Sequence, residues 1–380
     1  MSQELFQTIT THFGQIDDPR YHHSPPHLLR EIMAIALSAI LSGANDWEAV
    51  AVFGRARESW FRTFLRLPNG TPSADTFQRV FAQIDPDQFQ ASFVNWVTTL
   101  SQLTAGEVVA IDGKTLRGSA DRPHDQQAIH LVSAWTSQNA LVLGQVKVDE
   151  KSNEITASPE LLRLLALSGC VVTLDAMGCQ TEIATQIVSQ GADYVLALKE
   201  NQGRLYQEVV QLFHDALTQP DRAIPLETAQ TIEKDHGRLE KRQAWIIHHS
   251  DYLAYLDPTA RWVGLASVVR VDSQRIINDH HSHQTRYYIS SLAGDPAQLN
   301  HAIRTHWTIE NQLHWVLDVA FREDHSRVRR GHAAQNLAVL RQIALNLLKR
   351  ERSTKLSLQN KRLRAAWDLD YLRLLLSLLT

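Results

Sequence analysis

Cysteine, methionine and long apolar runs are all scarce in this chain of 380 residues. Only two cysteines occur, Cys170 and Cys179. That is too few for a disulfide framework, and they lack the CxxC pairing of a zinc site. Both read as small buried residues flanking a strand. No apolar run reaches the roughly 18–20 residues of a membrane span. The opening MSQELFQTIT lacks the basic-then-apolar layout of a signal peptide, so the expected location is cytoplasmic. An overall basic excess is missing too, since the formal net charge is −3. The hydrophobic share of 44% and charged share of 21% are those of an ordinary globular protein, long enough for more than one small domain.

The charge that is present is unevenly placed. Between Arg322 and Arg364 stand twelve Lys and Arg against three acids, a local excess of nine that leaves −12 on the rest of the chain. One basic tract on an acidic chain fits contact with a phosphate backbone, although a solvated helix face reads the same way.

Residues 1–103 read as helical. HLLREIMAIALSAILSG runs to Gly43, and a second helix starts at Asp46. The turn signal PNG at 68–70 precedes TPSADTFQRVFAQI, with Thr71 as the expected N-cap and Pro72 at the first helical position. Two helices, a turn and a short third helix resemble a helix-turn-helix, which makes Gln78 and Arg79 candidate DNA contacts. Any small helical bundle has the same outline. From about residue 104 the pattern becomes β–β–β–α–β–α–β, implying a mixed sheet with helices on its faces. One of those helices is SPELLRLLALSG, with Ser158 as expected N-cap and Gly169 closing it. A mainly β stretch at about 203–293 reads as an insertion, and helices resume near Pro296 and run through the basic tract to the end.

Three carboxylates stand out. Asp112 follows the apolar run VVAI, and Asp175 follows VVTL. In RTHWTIENQLHWVLDVAF, helical spacing gathers Ile309, Leu313, Val316, Leu317 and Ala320 on one face and puts Glu310 at its rim. A carboxylate in such a setting is costly unless neutralised. Hard oxygen ligands of this kind suit Mg²⁺ or Mn²⁺. The bland alternative pairs Glu310 with His306 or an arginine, and Asp112 with Lys114. GKT at 113–115 is not a phosphate loop, because position 108 is Val rather than the required Gly. The histidine groups His22, His23, His27 and His280, His281, His283 fall in polar, turn-like stretches. Trp307 and Trp315 read as core residues more readily than as base-stacking platforms. DEKSNE, 149–154, lines a site mouth or is a solvated loop.

Longer motifs carry a family resemblance. LPNGTPSADTFQRVF, AIDGKTLRGS, VDEKSNEITA, VTLDAMGCQ, DYVLALKENQ and HWTIENQLHWVLDVAFRED, in this order, resemble the H-repeat-associated insertion-sequence transposases. These are a branch of the DDE transposases with an RNase H-like core, and the likeness covers nearly the whole chain. It implies an α/β fold in which an RNase H-like mixed sheet with flanking helices makes up a catalytic domain at 104–380. A mainly β insertion would precede the last catalytic helix, and an all-α domain at 1–103 would help bind DNA. The resemblance places the catalytic and metal-binding triad on Asp112, Asp175 and Glu310, with Mg²⁺ or Mn²⁺, two ions in all. The implied reaction is hydrolysis at the ends of the element, followed by attack of the freed 3′-hydroxyl on target DNA. The partners would be double-stranded terminal repeats and target DNA, engaged by a homodimer or larger assembly. One departure is plain: at the positions of the wider group's Tyr-x2-Arg-x3-Glu-x6-Lys signature stand Ile303, His306, Glu310 and Leu317. Phosphate contacts are therefore sought among Lys114, Arg117, His306, Arg322, Arg327, Arg329 and Arg330. A nuclease without strand transfer and an inactive DNA-binding relic are the alternatives.

Overall fold

The β-branched runs of the central region pair into one sheet. In a computed structural model describing residues 11–20, 25–101, 103–121, 127–149, 153–235, 238–277 and 280–379, nine strands follow the order β3-β2-β1-β4-β5-β9-β8-β7-β6. The first five are β1 (Val108–Leu116), β2 (Ile129–Thr136), β3 (Leu141–Lys147), β4 (Val171–Leu174) and β5 (Asp193–Leu198). β1 pairs antiparallel with β2 and parallel with β4, and β4 pairs parallel with β5. A hairpin-fed antiparallel edge joined to a parallel β1-β4-β5 core is the RNase H-like mixed sheet that the sequence led us to expect.

The mainly β stretch is no separate module. Its strands β6 (Glu227–Asp235), β7 (Arg238–Ile247), β8 (Ser267–Ile277) and β9 (His280–Ser290) extend the same sheet, because β9 pairs with β5 through Leu196↔Ile289 and Leu198↔Tyr287. His280, His281 and His283 therefore lie on a strand, exposed, and not in a turn. His22 and His23 lie outside the described residues, as do residues 150–152 of DEKSNE.

Around the sheet stand the helices α1 (Leu29–Leu41), α2 (Trp47–Ala56), α3 (Glu58–Phe61), α4 (Ala74–Gln83), α5 (Pro86–Leu100), α6 (Glu154–Leu164), α7 (Thr181–Ser189), α8 (Gly203–Thr218), α9 (Ser250–Leu256), α10 (Pro296–His306), α11 (Trp315–Phe321), α12 (Ala333–Arg350), α13 (Leu358–Trp367) and α14 (Leu369–Ser377). Two caps differ from expectation. Ser73, not Thr71, caps α4, its hydroxyl accepting from Thr76 N. Asn153, not Ser158, caps α6, so that helix begins five residues early and carries Pro159 inside it, past the first turn, where it cannot donate to the carbonyl of Ile155. The helix also ends at Leu164, and Gly169 (φ +77°) instead turns the chain into β4.

The leading helices pack on α12, which is buried almost throughout and shares one apolar core with them and with the sheet. On α4, Phe77 and Phe81 point inward and stack on Trp47, leaving Gln78 half-buried and Arg79 exposed. The side chain of Asn336 on α12 donates to the carbonyls of Phe81 and Ile84, tying the end of α4 to that central helix. Nor is the basic tract a single solvated face. Arg341 is buried against Glu323, Lys361 against Glu351, and Arg362 donates to the carbonyls of Ile40 and Ala44. Those three cations clip the C-terminal helices to the rest of the fold, and the exposed cations of the tract are Arg322, Arg327 and Arg330 with Arg352 and Lys355. Cys170 and Cys179 are buried free thiols, as their setting suggested.

Candidate active site

Parallel pairing brings the two aspartates together. Val108↔Val171 and Ile111↔Leu174 are partners in register, so the next positions on the two strands are Asp112 and Asp175. Side chains alternate along a strand, which puts Asp112 on the face of Val108 and Asp175 on the face of Val171. That face packs against α10, where Val108, Val171 and Val195 meet Leu299, Ala302 and Ile303. The helix thus covers the lower part of the sheet face and runs up to the aspartates. Past its end at His306, the chain forms a π turn, Glu310–His314, before α11. The wider turn changes the phase of the helix: Ile309, Leu313 and Leu317 stay in the core while Glu310 is exposed. The expected position of Glu310 at the rim of a buried stripe is thereby corrected, since an ideal 3.6-residue period misses the inserted residue. Glu310 needs no compensating partner for burial. Asp112, Asp175 and Glu310 all line one cavity of about 750 Å³.

Asp112 is the carboxylate that is costly. Burial, with the charges of Asp175, Glu154 and Glu310 adding to it, pushes its pKa up to about 7, against a hydrogen bond from Gly113 N–H that favours the charged form. Lys114 does not neutralise it. The Lys114 ammonium lies 2.5 Å from Asp318 and 2.8 Å from Glu323, and is equally unavailable as the DNA contact expected of it. The nearest basic group is His314, with Nδ1 3.5 Å from Asp112 Oδ2, yet burial drives the His314 pKa down to about 3 and keeps the ring neutral. Asp175 is held in place by the N–H groups of Met177 and Gly178, which both donate to its Oδ1.

His306 neither pairs with Glu310 nor carries charge. Its Nδ1 is 3.0 Å from the Thr173 hydroxyl, and burial lowers its pKa to about 4. A neutral, buried imidazole is a poor phosphate contact, so its role is to fasten α10 to β4. On the opposite face of β1, Gly113 lies beneath a pair formed by His130 Nε2 and Glu154 Oε1 at 2.6 Å. A Cβ at 113 would come within 2.1 Å of that carboxylate. DEKSNE thus delivers Glu154, a charge that acts on Asp112, rather than a solvated loop. Among the described residues, no three His, Cys, Asp or Glu side chains stand close enough together to hold one ion.

The remaining expected contacts separate into two groups. Gln78 of α4 joins Arg322 and Arg327 in the lining of a second groove of about 490 Å³, although 244 residues separate Gln78 from Arg322 in the chain. Arg117 is largely exposed, 3.5 Å from Asp324, and Arg329 bonds the carbonyl of Gly118 and faces Asp121. Arg79 and Arg330 are exposed. Sequence reading missed His314, Lys199 and Arg286 at or beside the main cavity. Lys199 stands just past an apolar strand as Asp175 does, a signal that could have found it. Arg286 sits in a polar strand and gave none.

Residues 104–347 match the family described as "Transposase DDE domain", and residues 10–97 match "DDE_Tnp_1-associated". The chain is similar to "Putative transposase YncI" of Escherichia coli O157:H7, at 39% identity over 369 residues, 96% of this chain and 93% of that one. It is equally similar, 39% over 369 residues and 96% of each chain, to "H repeat-associated putative transposase YhhI" of Escherichia coli strain K12. Among solved structures it is similar to the piggyBac transposase synaptic complex with hairpin DNA, with 12% identity and a TM-score of 0.44 over 97% of this chain and 78% of that one.

Proposed function

The chain belongs to the DDE transposases, and from that premise we propose that it binds the ends of an insertion sequence, cuts the DNA there and joins the cut ends to a target. One observation carries the reading: Asp112, Asp175 and Glu310, brought from two strands and a π turn, line a single cavity in which Asp112 is pushed up to about 7 by burial and by its neighbours' charge. Three carboxylates lining one cavity, none of them paired to a lysine or arginine, are hard oxygen donors that fit Mg²⁺ or Mn²⁺. Asp112, Asp175 and Glu310 would hold the ions. Divalent metal at such a site lowers the pKa of an attacking hydroxyl and stabilises the leaving oxygen in phosphoryl transfer.

The protein's own part is placement. Parallel register sets the two aspartates side by side, and the backbone N–H groups after Asp175 fix the orientation of its carboxylate. The π turn carries Glu310 away from the core and into the cavity. Neutral His314 and His306 wall the site without adding positive charge that would compete with a metal. Double-stranded DNA would also run over the groove of Gln78, Arg322 and Arg327, with the helices of residues 1–103 and the 322–330 loop acting as one surface in the assembled dimer or larger complex.

The test is cleavage and strand transfer on DNA carrying the sequences that flank the gene, with Mg²⁺ or with EDTA. Expected are nicks at the element ends and joined products with Mg²⁺ only, both lost in Glu310→Gln, Asp112→Asn and Asp175→Asn while the variants stay folded. Nicking without joining would make the chain a nuclease. Tight end binding without cleavage by the wild type would make it an inactive relic.

A further inference from the structure

The cavity that holds the three carboxylates also holds two cations that face one another. β5 and β9 pair through Ala197↔Tyr288 and Leu198↔Tyr287, so the next position in that antiparallel register sets Lys199 opposite Arg286. Both belong to the sheet face of Asp112 and Asp175, since Lys199 shares the parity of Val195 and Arg286 that of Tyr288. Residues directly opposite have Cβ atoms about 4.5–5.5 Å apart, and like charges there are destabilising. Neither cation has a carboxylate within pairing distance among the described residues, although exposed Glu200 and the three carboxylates line the same cavity.

Arg286 is nonetheless fixed. Its guanidinium lies over the Trp307 ring at 4.4 Å from the centroid, and it shares a side-chain hydrogen bond with Tyr288. Stacking uses the face of the guanidinium and leaves most of its in-plane N–H donors free. An oriented arginine fork opposite an unpaired lysine, two strands from Asp175 and so about 10 Å from it, lacks one thing: an anion with several acceptor oxygens.

We propose that Lys199 and Arg286 form a clamp for backbone phosphates of the DNA strand being cut, holding that strand across the β5–β9 side of the cavity. Neutral His306 and buried Leu317, on either side of Glu310, offer no positive charge to such a strand. The clamp rests on the reading of the cavity as the DNA-cutting site, and it makes Lys199 and Arg286 positioning residues that act on the phosphate backbone rather than on the reacting atoms.

Binding and cleavage separate the two ideas. Wild type, Lys199→Ala, Arg286→Gln and Lys241→Ala (an exposed lysine on β7, outside the cavity) are titrated with duplex carrying the flanking sequences, in EDTA, between 50 and 200 mM salt. Each clamp variant is expected to lower the slope of log affinity against log salt by about 0.9, with Lys241→Ala unchanged. On duplexes carrying single neutral methylphosphonates near the end, one position should weaken the wild type severalfold and leave Arg286→Gln indifferent. The clamp is overturned by unaltered slopes in both variants, or by equal methylphosphonate losses in wild type and Arg286→Gln at every position. Lys199→Ala changes an exposed residue and keeps the test open if Arg286→Gln fails to fold. Metal-dependent cleavage by the wild type together with unaltered slopes would leave the transposase reading standing and remove only the clamp. Lowered slopes without any cleavage would do the reverse.

Discussion

Replacing Asp112 by Asn should make the metal-free protein more stable while destroying its activity. In the folded chain the Asp112 carboxyl is raised from its ordinary 3.8 to about 7. That difference corresponds to about 4 kcal/mol between the two protonation states. The sign follows from proton counting. Between pH 3.8 and 7 the unfolded chain has released this proton and the folded chain still holds it, so stability falls as pH rises and levels off above 7. Asn removes the charge and the repulsion from Asp175, Glu154 and Glu310, and its amide oxygen still accepts from Gly113 N–H. Allowing for relaxation of the site, the gain at pH 8 should be about 2–4 kcal/mol. Urea unfolding in EDTA at a series of pH values reads this directly. The wild-type and Asp112→Asn curves should coincide near pH 4 and separate up to pH 7, with the variant the more stable. Adding Mg²⁺ should raise the wild type alone and narrow the gap, because an ion that binds only the folded state stabilises it by mass action. An Asp112→Asn protein no more stable than wild type at pH 8, or a gap that closes as pH rises in EDTA, would refute the account of Asp112 as a costly, uncompensated carboxylate.

Two further outcomes test the frame around the site. Glu323→Gln should cost about 3–5 kcal/mol in urea unfolding, because it leaves the buried Arg341 guanidinium without that carboxylate and leaves Lys114 with Asp318 alone. Gly118→Ala should cost about 1–3 kcal/mol, since a Cβ there would lie 2.3 Å from the Ser326 carbonyl oxygen and 2.8 Å from that of Asp324, both backbone atoms. Because the displaced segment carries Arg322 and Arg327, the same variant should bind end DNA several-fold more weakly in a fluorescence titration.

The sequence by itself determined most of the local elements and which acids needed an explanation. Alternation and β-branched runs marked β1, β4 and β5, and acids directly after VVAI and VVTL marked Asp112 and Asp175, because a charge beside an apolar strand has to be explained wherever the strand goes. Long ordered motifs identified the transposase family. Helix ends were less legible: Ser158 before Pro159 looked like the N-cap of α6, and the true cap, Asn153, lay five residues earlier. Glu310 was placed wrongly on its helix, since a π turn inserts a residue that no 3.6-residue period anticipates. Tertiary structure alone decided which charges are spoken for. Lys114 was a candidate partner of Asp112 or of phosphate, and Arg341, Lys361 and Arg362 belonged to a basic tract open to DNA, yet each is committed to a partner inside the fold. It also turned the β-rich stretch into four more strands of the same sheet, through pairing of β5 with β9 across nearly a hundred residues. That pairing is what sets Lys199 against Arg286. Strand register is a relation between distant segments, fixed by which faces can be buried together, and a single strand's sequence does not contain its partner.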